Sequence, residues 1–236
     1  MNEFYKRLNS KQVDSVKSTS DKFCIIEIVI NEVGLGKAAI LSILFADFVQ
    51  LKYITTSEIE SKFKTVIQPV IHGMMRVSEL YQKKTSLETE NFRKLFLTFA
   101  EDVRVILIII SEQLHVMRTL DSYPEESRQN IARECSFLYA PLAHRMGLYA
   151  IKTELEDLSL KFTNREIYKE IARKLNETKR SRDIYIHEFI TPLKQKLNEL
   201  GYEFEIKGRT KSIHSIYNKI KKQNTPFENI YDLFAI

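Results

Sequence analysis

The stretch GYEFEIKGRTKSIHSIYNKIKKQNTPFENIYDLFAI, Gly201–Ile236, is where the hydrophobic period of the chain changes. From Tyr202 to Lys207, aromatic or aliphatic residues alternate with Glu203, Glu205 and Lys207, the period-two pattern of a half-buried strand. Ser212–Lys222 follows a helical period, Asn224–Pro226 reads as a turn, and the nearly all-apolar Tyr231–Ile236 reads as a second strand. Gly208-Arg209-Thr210-Lys211-Ser212 therefore follows a strand and opens a helix, a place where backbone N–H groups and the helix dipole favour an anion. Lys211, Ser215 and Lys219 share one face of that helix, and Ile213, Ile216 and Ile220 share another. Asp232 is the only acid in the closing strand, and a buried carboxylate is costly unless it pairs or binds a cation. Spacing alone leaves two readings open. One is a triphosphate with Mg²⁺ held by Asp232; the other is a solvated basic face, with Asp232 paired to Lys211 or Arg209.

Upstream, the pattern is helical almost throughout. Phe23–Val33 and Lys37–Leu51 are apolar helical candidates separated by a turn at Gly34 and Gly36, after a polar, Ser-rich Lys11–Lys22 read as a loop. Thr55-x-x-Glu58 and Ser57-x-x-Glu60 offer capping boxes for a helix through Tyr81, which Pro69 kinks or divides. A long helix is expected over Leu87–Leu120, buried around Val105–Ile110, where it is apolar on all sides. Ser122, Pro124 and Glu125 read as the start of a further helix, and helices follow over Leu148–Phe162 and Ile184–Leu200, around a charged Lys169–Arg182. Six glycines and five prolines in 236 residues argue against a turn-rich β fold. A net charge of +5 fits a polyanionic ligand, a nucleic-acid partner or plain solubility. The density of Lys and Arg over Lys169–Lys222 is diluted by acids and lacks aromatic stacking residues, so nucleic acid is not the expected partner. Cys24 and Cys135 are too few for a disulfide framework or zinc motif, and the longest uncharged apolar run, Ala38–Ala46, is too short to span a bilayer. The expected setting is cytoplasmic, without a membrane.

GRTKSIHSIYNKI followed by FENIYDLFAI resembles the opening of the synthetase domain of the RelA/SpoT family. A second resemblance lies in Ala100–Leu120 and in Tyr139–Gly147, YAPLAHRMG, continuing through Lys152–Leu158; together these cover about residues 99 to 236. The resemblance implies transfer of pyrophosphate from ATP to the 3′-hydroxyl of GDP or GTP, making (p)ppGpp in the stringent response. It implies that Arg209 contacts ATP, that Lys211, Ser215 and Lys219 contact its phosphates, and that Asp232 holds Mg²⁺. Such chemistry depends on positioning and charge neutralisation. The family's guanine-stacking Tyr, further basic residues and catalytic Glu belong to later parts of the synthetase domain, so this chain is expected to be catalytically inactive alone. A ribosome or regulatory partner is left to C-terminal regions.

The helical part resembles the family's HD hydrolase domain, which implies a Mn²⁺ site built from an early His, an HD pair and a later Asp. This chain departs from that pattern. No His precedes His72; Ile43–Leu51 places Ala46 where the HD histidine stands, beside a retained Asp47, and Gln50-Leu51 where the family has Glu-Asp. Glu112 lies near the position of the later Asp. Acids without imidazoles make a poor site for such a metal, so neither hydrolase activity nor bound Mn²⁺ is expected. The expected fold is mainly α: an all-helical HD-type domain over 1–175, then the beginning of an α/β nucleotidyltransferase-like synthetase domain over 176–236. The alternative is a non-catalytic regulatory or nucleotide-binding module built on a degenerate HD domain.

Overall fold

The structure, a computed structural model, describes residues 19–50, 52–63, 66–82, 102–206, 208–230 and 233–235. The chain forms two compact units, Met1–Leu155 and Glu156–Ile236. The boundary falls inside one helix, N-terminal to the compositional division at 175/176: charge density rises late, whereas packing gathers the helix before that rise into the second unit.

The described part of the first unit is helical. α1 (Thr19–Ile28) runs into a wide π-turn at Val29–Val33, which Gly34 closes at φ 80°. α2 (Lys37–Gln50) follows, then α3 (Thr56–Phe63) and α4 (Gln68–Gln82). The Thr55 box forms: Glu58 Oε2 accepts from the Thr55 N–H at 2.9 Å, and Thr55 Oγ1 accepts from the Glu58 N–H at 3.2 Å. Pro69 divides rather than kinks, standing in the first turn of α4 where its missing N–H costs nothing. α5 (Val103–Arg118) is the central helix, with Val105, Ile108, Ile110, Leu114 and Met117 fully buried. Residues 87–101 of the long helix expected there lie outside the described residues, as does Leu51.

α6 (Glu125–Glu134) continues through a π-turn at Cys135–Tyr139 into α7 (Ala140–Arg145). Its start falls among the residues read from the sequence, but Ser122 does not cap it. Pro124 is itself the N-cap, while the Ser122 hydroxyl donates to the Thr119 carbonyl at 2.7 Å in the preceding turn. The core of this unit joins Phe45, Phe48 and Val49 of α2 to Ile59 of α3 and Ile71 of α4. Gly73 lets α4 approach α5 closely: a methyl group there would stand 2.6 Å from Val105 Cγ2.

α8 (Tyr149–Thr163) carries the unit boundary. The second unit continues with α9 (Arg165–Glu177), α10 (Lys179–Glu199), β1 (Arg209–Thr210), α11 (Ile213–Gln223) and β2 (Phe234–Ala235). β1 and β2 pair antiparallel, Arg209 opposite Ala235 and Thr210 opposite Phe234. The alternating residues 202–206 form no strand; alternation reports a half-buried face, but a strand requires a hydrogen-bonding neighbour, and in this region the ladder joins 209–210 to 234–235. Ile171, Ile216 and Phe227 form the core of this unit. No helix among the described residues is long and apolar enough to cross a membrane.

Candidate functional site

A cleft of about 410 Å³ opens in the first unit between α2, α4 and α5. Ala46, Asp47, Gln50 and Glu112 all line it, so the four positions at which the HD pattern was followed through the sequence converge in space. Helical spacing explains this. Ala46, Asp47 and Gln50 lie within one turn of α2, and Glu112 faces them from the middle of α5. Met74, on α4, supplies apolar wall, and Tyr139 lines the cleft from the π-turn. The Tyr139 hydroxyl hydrogen-bonds Glu134, whose carboxyl is nevertheless pushed above the usual range by burial. Gln50 Nε2 lies 3.4 Å from Ser78 Oγ.

Asp47 is held from behind. Lys22 Nζ lies 2.9 Å from Asp47 Oδ2 and donates to the Ile43 carbonyl at 3.2 Å, and the lysine side chain is only 3% exposed. One residue earlier, Asp21 Oδ1 stands 3.1 Å from Nε2 of the buried His115. Composition places Lys22 at the end of a loop, but in the structure it sits in the first turns of α1. Its signal was present, because Lys22, Ile25, Ile26 and Val29 follow the i, i+3, i+4, i+7 spacing of one helix face, and all four are buried.

These side chains are a poor match to the hydrolase metal that the resemblance implies. Ala46 offers no ligand atom, Asp47 is engaged by an ammonium group, and no three His, Cys, Asp or Glu side chains among the described residues converge on a metal position. This donor set does not fit the metal.

The other expected site lies in the second unit. Ser212 caps α11, its Oγ accepting from the Ser215 N–H at 3.2 Å, and Ser215 Oγ lies 2.8 Å from Ser212 Oγ. Asp157 of α8 accepts from the His214 N–H at 2.8 Å and from the Ile213 N–H at 3.4 Å. The first-turn amides read from sequence as available to an anion therefore have protein acceptors. Burial raises the Asp157 carboxyl above its ordinary value, and these two N–H groups oppose the shift. His214 Nδ1 lies 3.3 Å from Glu156 Oε2. The Lys211 backbone N–H donates to the Leu233 carbonyl at 2.8 Å, extending the β1–β2 pairing. Lys211, Ser215 and Lys219 remain on or beside α11, half-buried. The Arg209 side chain and Asp232 lie outside the described residues.

The HD domain profile matches residues 3–149, more than half the chain. The chain belongs to the HD domain family. Its relatives include a GTP pyrophosphokinase from Myxococcus xanthus, 36% identical over 212 residues, covering 88% of this chain and 28% of the relative. A guanosine-3′,5′-bis(diphosphate) 3′-pyrophosphohydrolase from Aquifex aeolicus is 30% identical over 237 residues, covering 98% of this chain and 34% of the relative. The bifunctional (p)ppGpp synthase/hydrolase SpoT of Escherichia coli K12 is 31% identical, covering 88% of this chain and 30% of the relative. The HD chain thus spans about a third or less of the length of these relatives. Its matched segment ends close to the boundary of the first compact unit.

Proposed function

We propose that this chain is the N-terminal part of a RelA/SpoT-type (p)ppGpp synthetase of the stringent response whose HD unit does not hydrolyse the alarmone. The observation that carries the reading is the ion pair, at 2.9 Å, between Lys22 and Asp47 of the HD cleft wall. An HD hydrolase needs a metal to activate water, and its retained aspartate is here matched to an ammonium group instead. The relatives named above support the alarmone chemistry. In the second unit, Arg209, Lys211, Ser215 and Lys219 are read as the ATP side of the synthetase, with Asp232 holding Mg²⁺ that would bridge and neutralise the transferring phosphates. Those residues cover one substrate only, and the 236-residue chain alone is expected to form no alarmone.

Purified chain with (p)ppGpp and Mn²⁺ should release no pyrophosphate, and with labelled ATP, GDP and Mg²⁺ it should form no ppGpp. Metal-dependent release of pyrophosphate would overturn the first statement, and ppGpp formation the second. A non-catalytic binding role for the HD unit is favoured by one further observation: the cleft is about 410 Å³, within the range that takes a small ligand. Calorimetric titration with ppGpp, GDP and ATP separates binding from a purely structural role.

A further inference from the structure

We infer that the ammonium group of Lys22, set behind the wall of the HD cleft, neutralises Asp47 in place of a metal, so that the site takes no divalent cation. The inference rests on the reading of the HD unit as non-hydrolytic and names the device that replaces the metal. Three features carry it. Lys22 is 3% exposed, which is rare for lysine and costly unless the charge is paired. Its Nζ meets Asp47 Oδ2 at 2.9 Å and the Ile43 carbonyl at 3.2 Å, so two of its three donors are placed on oxygens of α2. Asp47 in turn lines the cleft, beside Ala46 and across from Glu112.

The chemistry differs from that of a metal in a defined way. An ammonium group neutralises one carboxylate and fixes its rotamer. It has no open coordination position, so it cannot hold a water molecule and lower its pKa. Because the cation is covalently part of α1, its occupancy does not vary with metal concentration. The cleft keeps its walls, its Asp47 is neutralised, and it loses the means of activating water.

The test uses the full chain. Mn²⁺ is titrated into wild type and followed by electron paramagnetic resonance and by thermal melting, with EDTA as the reversal. No saturable site at millimolar Mn²⁺ and no EDTA-sensitive change in melting temperature are expected. A one-to-one Mn²⁺ site that disappears in Asp47→Asn would overturn the inference. The second arm is the cycle Lys22→Met, Asp47→Asn and the double variant. Lys22→Met keeps the buried stem but strands a carboxylate, and should melt roughly 5–10 °C below wild type. The double variant should melt above Lys22→Met, since removing the stranded charge relieves the cost. Additive losses in the cycle would overturn the pairing. If Lys22→Met does not fold, recovery of folding in the double variant supports the inference, and the wild-type Mn²⁺ titration decides it if neither folds. Pyrophosphate release in the hydrolase assay would instead overturn the non-hydrolytic reading, so the two failures are distinguishable.

Discussion

The Asp157 carboxylate on α8 closes the first turn of α11 by accepting from the His214 N–H at 2.8 Å. Its carboxyl is raised above 3.8, chiefly by burial. Between the ordinary and the raised value the native state holds more protons than the unfolded chain, so this group's contribution to stability falls as pH rises through that window. Asp157→Asn retains an acceptor for the amide and removes the buried charge. Urea midpoints measured from about pH 3 to pH 7 should show the Asn variant gaining on wild type as pH rises. A constant difference would sink the assignment. Asp157→Ala removes the acceptor altogether and should cost about 1 kcal/mol.

Gly73→Ala should destabilise the first unit although alanine is the better helix former. The added methyl would stand 2.6 Å from Val105 Cγ2, and relieving the overlap should cost about 1–3 kcal/mol, more than the gain in helix propensity. Adding Val105→Ala should recover part of that loss, a coupling readable by chemical denaturation of the four variants.

Arg118 holds two acids at once. Its guanidinium bonds Glu154 at 2.6 and 2.7 Å and Glu32 at 2.7 and 3.1 Å, tying the π-turn after α1 to the start of α8. These hydrogen bonds, Glu154 first, raise its pKa and keep it charged throughout the accessible pH range. All three side chains are about one-third exposed, so screening discounts the pair energies. Arg118→Met should cost about 1–2 kcal/mol at low ionic strength and less in molar salt. A loss that does not change with salt would point to packing of the arginine stem instead.

Ala46→His supplies the missing imidazole of the HD pair, yet hydrolysis of (p)ppGpp with Mn²⁺ should stay at background, because Lys22 still occupies the aspartate beside it. Restoration by that single change would show that Asp47 is available to a metal.

Much of the first unit was legible because its evidence is local. The buried stretch of α5 followed from an apolar run with helical flanks, the Thr55–Glu58 box from two residues three apart, and the turn at Gly34 from its lack of a side chain. The convergence of Ala46, Asp47, Gln50 and Glu112 could be suspected only through resemblance, since α2 and α5 are far apart in sequence. Long-range pairings were misread or missed. Arg118 stands at the end of α5, about 24 Å from Asp102, which caps the start of the same helix and bonds Arg104, so its acidic partners come from elsewhere in the chain. Lys22 looked like the tail of a Ser-rich loop because composition dilutes a single buried charge. The 202–206 strand failed because alternation describes one face of a segment and says nothing of its neighbour.

The close contact of Gly73 with Val105 also has a mechanical meaning. Two of the cleft walls lie on the C-terminal side of this contact in their own helices: Met74, Met75 and Val77 on α4, Ile109, Glu112 and Val116 on α5. The contact and these two walls therefore lie along one seam between α4 and α5. A methyl group at position 73 would push α4 away from Val105, and the walls carried by the two helices would move with it. The spacing of these two walls thus depends on a side chain that glycine does not have.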